Sequence, residues 1–155
     1  MLDPQDWVVW RDLTRMRHSV ERALEQRVQH DAGLSLADFE ILHALSLAEG
    51  GRLRAGALAD ATGWEKSRIS HQVRRMVDRG LLSRADCPTD LRGTWVVLAE
   101  AGADAFATAS CGYVEVLQSR FFDRIAPEQK QALGAVSSCI SASFETPQPA
   151  SSARS

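Results

Sequence analysis

The chain has 155 residues, 45% of them apolar, and a formal net charge of -2. That length suits one domain, or one compact domain with an extension for pairing, and the apolar share excludes a disordered chain. No segment nears the ~18 apolar residues of a membrane span, the start MLDPQDWVVWRDL is unlike a secretory signal, and three cysteines without C-x-x-C spacing indicate neither a disulfide framework nor a structural zinc site, so reduced thiols in the cytoplasm are expected.

From Asp6 to His30 the apolar residues Trp10, Leu13, Val20, Leu24 and Val28 recur at spacings of three, four or seven, which predicts one long amphipathic helix. DAGLS breaks it. Ser35 is a suitable N-cap for a second helix carrying Phe39, Ile41, Leu42, Leu45 and Leu47, and EGG stops that helix. A short extended RLR leads into a third helix, AGALADATG, with Leu58 inward. Ala59 lies four residues before Gly63 and Ile69 six residues after it, the spacing of a helix-turn-helix. The small residue permits a close crossing, the glycine suits a turn with positive φ, and the aliphatic seats the second helix on the first.

That second helix, from Glu65 to Asp78, turns Ile69, Val73, Met76 and Val77 inward and Ser67, Arg68, His71, Arg74 and Arg75 outward. Gly80 ends it. LLSR and TWVVL read as two strands around the turn-rich ADCPTDLRG, which together make a wing. The remainder is helical. Phe106, Ser110, Tyr113, Leu117 and Phe121 mark one helix, and Pro127 opens a last one with Leu133, Val136, Ile140 and Phe144. Cys111 and Cys139 are expected to be buried in these two helices. From Glu145 the tail ETPQPASSARS has no core-forming pattern and is expected to be disordered.

Charge is distributed unevenly along this order of elements. Arg52 to Trp95 holds nine Lys/Arg against five Asp/Glu, a balance of +4, so the rest of the chain carries -6. A basic middle between acidic ends points to a polyanion that contacts the middle. A solvated helix face with internal ion pairs is the alternative reading of the charge alone.

The run LADATGWEKSRISHQVRRMVDRGLLSRADCPTDLRG, with its D-x-R-G wing at the proper interval, resembles the MarR family of bacterial winged helix-turn-helix regulators, from about Trp7 to Phe144. One departure is Ala99 after Leu98, where the family usually has a capping threonine. The resemblance implies a mainly α fold with a small β-wing. Its parts would be an N-terminal dimerisation helix at 1–34, a DNA-binding lobe at 35–100, dimerisation helices at 101–144 and the tail at 145–155. It implies a homodimer on a pseudo-palindromic duplex whose half-sites lie ~10 base pairs apart. It also implies a transcriptional repressor, relieved by a small aromatic or phenolic effector or by an oxidant.

Within that resemblance Lys66, Ser67, Arg68 and His71 are the expected base-edge readers. Ser70, Gln72, Arg74 and Arg75 complete the expected DNA-binding helix, the last three by reaching phosphates or bracing it. Arg92 would enter the minor groove with Asp90 bracing it. Trp7, Trp10, His18, His43 and Tyr113 are candidate lining for an effector pocket, against the alternative that they are core. Cys87 is the candidate redox residue: Arg84 and Arg92 favour its thiolate, Asp86 and Asp90 oppose it, and an inert loop cysteine is the alternative.

An enzyme is not expected. His18, His30, His43 and His71 have no metal-ligand spacing, and there is no phosphate-binding glycine loop and no nucleophile elbow. No cofactor or metal is expected for the same reasons. A winged helix used for protein–protein contact, without specific DNA binding, is the remaining alternative. It would not need arginines on both the second helix and the wing.

Overall fold

The computed structural model describes residues 2–87 and 90–145, with the side chains of 87, 90–93 and 145 left aside. The expectations placed on the side chains of Cys87, Asp90 and Arg92, and on the tail beyond Glu145, lie outside the described residues. The chain divides into two compact units between Leu117 and Gln118.

Helix α1 runs from Pro4 to Ala32, longer at both ends than the apolar spacing indicates. Asp3 supplies the reason at the start: its side chain accepts from Gln5 N at 2.7 Å, and Pro4 sits where its missing N–H costs nothing. Gly33, at φ 65°, closes the other end. Ser35 and Asp38 form a reciprocal capping box that starts α2, Leu36–Ser46. Leu47 caps α2 instead of packing beneath it and is 76% exposed, a correction to its expected core role.

A single 3-10 turn at Glu49–Gly51 leads to β1, Arg52–Arg54, then α3, Ala55–Thr62, and α4, Lys66–Asp78. Strands β2, Leu82–Cys87, and β3, Asp90–Leu98, both extend further into the wing than LLSR and TWVVL suggested. Cross-strand pairing through Ala85↔Trp95 and Asp86↔Thr94 carries them there. The sheet is antiparallel in the order β1-β3-β2.

Helix α5, Glu100–Arg120, starts directly after the sheet. Ala99 offers no capping side chain, and its own N–H donates back to Leu81 O at 3.2 Å, which ties the start of α5 to the residue before β2. Gly102 lets α5 approach that same carbonyl, since a Cβ there would collide with Leu81 O. Helix α6, Pro127–Glu145, lies in the second unit.

The core of the first unit gathers Val28, Leu34, Ile41, Leu42, Leu45, Leu58, Ile69 and Met76, all without exposed surface. Cys111 and Cys139 are exposed, a correction to their expected burial. Helix α5 turns Gly102, Ala109 and Gly112 inward, and Cys111 stands about 100° around the helix from Gly112. Among the described residues no helix is long and apolar enough to cross a membrane.

Candidate nucleic-acid interface

The turn between α3 and α4 has the geometry its spacing implies. Gly63 sits at φ 68°, and both its N–H and that of Trp64 donate to the carbonyl of Ala59. Ala59 is 6% exposed and Ile69 is fully buried, so the small residue and the aliphatic seat one helix on the other. With Ile69, Val73 and Met76 turned to the core, Lys66, Ser67, Arg68, Ser70, His71, Arg74 and Arg75 are all exposed. No acid lies between Lys66 and Arg75. From Lys66 to Arg75 the outward face of α4 therefore presents four formal positive charges, and the one acid of the helix, Asp78, lies in its last turn.

Two hydroxyl and imidazole groups on this face are already engaged. Ser70 Oγ donates to Lys66 O at 3.0 Å, and the Arg74 guanidinium lies 3.1 Å from His71 Nδ1. Gln72 departs from the sequence expectation. It is 9% exposed, and its Nε2 donates to Asp38 Oδ1 at 2.7 Å, so it faces the core and cannot reach a phosphate from there. Its apolar neighbours at positions 69, 73 and 76 place it on the inward side of α4. Bracing the helix is the part of its expected role that survives.

Arg68 lies over the ring of Trp64, with Cζ 3.6 Å from the ring centre. Glu40 on α2 is close enough to both to be affected by them. Burial pushes its carboxyl above the ordinary value, the Arg68 charge and a hydrogen bond from Trp64 pull it down without prevailing, and Glu21 adds to the rise. Sequence reasoning missed Trp64 and Glu40 as partners of the recognition helix. The aromatic at the turn was the available signal, since a residue just before a helix N-cap can meet side chains of the first helical turn and an arginine there can lie over its ring.

On the sheet, Arg52 and Arg54 flank Trp95 at 5.1 and 5.2 Å from its ring centre. The alternation of RLR puts both guanidinium groups on one face, and Arg54 pairs directly with Trp95. They add to the positive charge of the lobe.

The five candidate effector residues do not form one site. His18 joins Arg17, Arg22, Glu40, Trp64 and Arg68 around an open cleft of about 650 Å³ between α1, α2 and the start of α4. His43 and Tyr113 meet elsewhere: Tyr113 stacks on Phe39 at 4.3 Å, and His43 stacks on Phe39 and Phe106 at 6.4 and 5.9 Å. Burial, then the charge of Glu40, raises the Tyr113 phenol above its ordinary value, so it remains a neutral donor. Trp7 and Trp10 stand 57% and 60% exposed near the start of α1. No group of His, Cys, Asp and Glu suited to a metal occurs among the described residues.

Comparison with known proteins agrees with this geometry. The model of the MarR family matches residues 32–93. The chain is similar to the structure of AbsC, a MarR family transcriptional regulator from Streptomyces coelicolor, with 33% identity, a TM-score of 0.88, and coverage of 94% of this chain and 97% of that one. It is similar to Sco3205, a MarR family transcriptional regulator of the same organism in complex with DNA, with 30% identity, a TM-score of 0.88, and coverage of 97% and 96%. The organohalide-sensing regulator RdhR-CbdbA1625 in its 2,4-dichlorophenol-bound form follows at 25% identity, a TM-score of 0.79, and coverage of 90% and 80%. No curated protein matches.

Proposed function

The chain belongs to the MarR family of transcriptional regulators, and we propose on that premise that it is a homodimeric repressor of a pseudo-palindromic operator. The observation that carries the proposal is the outward face of α4, where Lys66, Arg68, Arg74 and Arg75 are exposed together without an acid among them. A helix so charged suits the major groove, with Lys66, Ser67, Arg68 and His71 nearest the base edges and Arg74 and Arg75 at phosphates. On the wing, Arg92 would serve the minor groove, with Asp90 to brace it.

Pairing is supported by apolar surface that the single chain leaves bare. Trp7, Val9 and Trp10 on α1 and Val136, Ile140 and Phe144 on α6 are all more than half exposed. Surface of this kind is commonly completed by a partner, and in this reading residues 1–34 and 101–144 supply the dimer contacts.

Release by a small aromatic or phenolic effector is part of the proposal, supported by the dichlorophenol-bound relative and by the His18 cleft against Trp64 and Arg68. An effector acts only through unequal affinity for two arrangements of the lobes. Oxidation at Cys87 is the second route proposed for release.

Selection of sheared genomic DNA by the purified protein at moderate salt, with Arg92→Ala alongside, tests the function. A recovered inverted repeat that the variant fails to enrich is the expected result. Absence of any enriched sequence would instead favour a protein-contact module.

A further inference from the structure

Among the described residues, Asp38 and Gln72 are the polar side chains that the core takes in, at 1% and 9% exposure. Gln72 Nε2 donates to Asp38 Oδ1 at 2.7 Å. The other carboxylate oxygen accepts from Arg79 Nη1 at 2.6 Å and from Ser35 N at 2.9 Å. Ser35 Oγ accepts in return from Asp38 N at 3.0 Å, and Arg79 Nη2 donates to Gly33 O at 2.9 Å. One carboxylate thus joins the start of α2 to two points on α4, and Arg79 ties in the end of α1 through Gly33 O.

Those two points matter for what α4 can do. Gln72 lies in its second turn and Arg79 caps its end, seven residues apart on one side of the helix, about 10 Å along the axis. Ile69, Val73 and Met76 hold α4 at its depth and set which side faces the core, but apolar packing lacks the directional geometry of a hydrogen bond. Hydrogen bonds at both ends of a 10 Å span, roughly two helical turns, fix rotation about the axis and translation along it. The exposed surface of α4 carries Lys66, Arg68, His71, Arg74 and Arg75, with Arg68 and Arg75 one turn to either side of Gln72, so a turn of the helix would move every one of them.

We infer that Asp38 is a positioning residue for the recognition helix: through Gln72 and Arg79 it sets the rotation and axial register of α4, and through them sequence preference. It does not itself touch DNA. The inference rests on the reading of α4 as the DNA-contacting helix. It separates two components of binding. Attraction to phosphates depends on charge and survives a small misplacement, whereas base-edge hydrogen bonds depend on placement.

The test uses Asp38→Asn and Gln72→Leu in the full chain. Asparagine keeps one acceptor at most and turns an NH2 toward donors. Leucine removes the Gln72 bond and leaves the Asp38–Arg79 pair. Two quantities are measured at a temperature where circular dichroism shows each variant folded: amide exchange along α4, and binding to the genomically selected duplex against a shuffled duplex at several salt concentrations. The expected result is faster exchange in α4 with α5 unchanged. Preference for the selected duplex should fall about tenfold, as one lost base-pair reading would cost. The salt slope should be unchanged.

A folded variant with wild-type protection in α4 and wild-type preference, lower only in melting temperature, would overturn the inference. Should Asp38→Asn not fold, Gln72→Leu carries both measurements. Should the wild type prefer no duplex, the DNA reading fails and the exchange decides the positioning role: accelerated α4 exchange upholds it, and unchanged exchange overturns it.

Discussion

Arg68 Cζ lies 3.6 Å from the centre of the Trp64 ring, so the first turn of the recognition helix holds one of its cations against an aromatic face. Stacking leaves the edge of a guanidinium, where its N–H donors lie, open to a partner. A cation held this way loses less freedom when it meets DNA. Trp64→Ala should therefore weaken binding to the selected duplex when Arg68 is present and change little when Arg68 is already alanine. The expected coupling is about 0.5–2 kcal/mol by double-mutant cycle. Additive losses would mean that the two side chains act separately.

Arg75 and His71 share the exposed face of α4 but are expected to fail differently. Arg75→Ala, which removes a phosphate contact, should weaken selected and shuffled duplexes alike and flatten the plot of log affinity against log salt by about 0.9. His71→Ala, which removes a base-edge contact, should weaken the selected duplex alone and leave the slope intact. Fluorescence anisotropy at four salt concentrations (roughly the range over which counterion release is linear) separates the two. Equal slopes for wild type and Arg75→Ala would remove Arg75 from the phosphate contacts.

The helix-turn-helix was legible because its rules are local. Ala59, Gly63 and Ile69 lie within eleven residues, and their spacing alone fixes which side of α4 is inward. Gln72 shows where that reasoning stops. As a polar residue in a basic helix it looked available to DNA, yet its partner Asp38 is 34 residues away, and nothing in the helix period says that a buried carboxylate waits there. The aromatic contacts of Phe39 with Phe106 and Tyr113 are hidden for the same reason. Cys111 illustrates a finer limit: its period was right for a buried helix but its phase was one residue off, because Gly112 occupies the close crossing.

Two glycines of α5 make that crossing testable. A Cβ on Gly102 would meet the Leu81 carbonyl and lie 3.2 Å from Leu42 Cδ2. A Cβ on Gly112 would meet Asp31 Oδ2 and the Arg27 side chain, which pair with each other at 2.6 Å. Backbone cannot step aside without moving β2 or α5, whereas side chains can re-orient at the loss of a partly exposed ion pair. Gly102→Ala should therefore cost about 3 kcal/mol or more and Gly112→Ala about 1–2 kcal/mol. Urea denaturation measures both, and the reverse order would contradict the stated contacts.

Asp38 and Glu40 should give opposite dependence of stability on pH. Burial alone would raise the Asp38 carboxyl, but hydrogen bonds from Ser35 and Arg79 outweigh it and hold the group below its ordinary value of 3.8. Its stabilisation is complete above about pH 5 and is lost as the pH falls below about 4. Glu40, raised chiefly by burial from an ordinary 4.5, favours the folded state when protonated, and that contribution is lost as the pH rises through its folded value. Asp38→Asn should melt below the wild type near neutrality, with the gap closing in acid. Glu40→Gln should melt above it near neutrality and converge with it below about pH 4. Scanning calorimetry across this range checks both signs, and a pH-independent gap for either variant would refute the assignment.

Pairing has its own signature in the apolar residues left bare by the single chain. Trp10 is 60% exposed on α1, and Ile140 is 53% exposed on α6. If a partner covers them, each removes from water the equivalent of about 1.5–3 kcal/mol of apolar side chain per protomer. An aspartate in either place would forfeit that and bury a charge. Trp10→Asp and Ile140→Asp should shift the species seen by sedimentation from twice the chain mass to the chain mass at micromolar concentration. Neither position belongs to the described core of the winged lobe, so the melting of that lobe should persist as a monomer. Binding to the selected inverted repeat should fall far more than binding to a single half-site, because only the dimer engages both halves at once. A variant that stays dimeric would place the partner's contacts elsewhere on the chain.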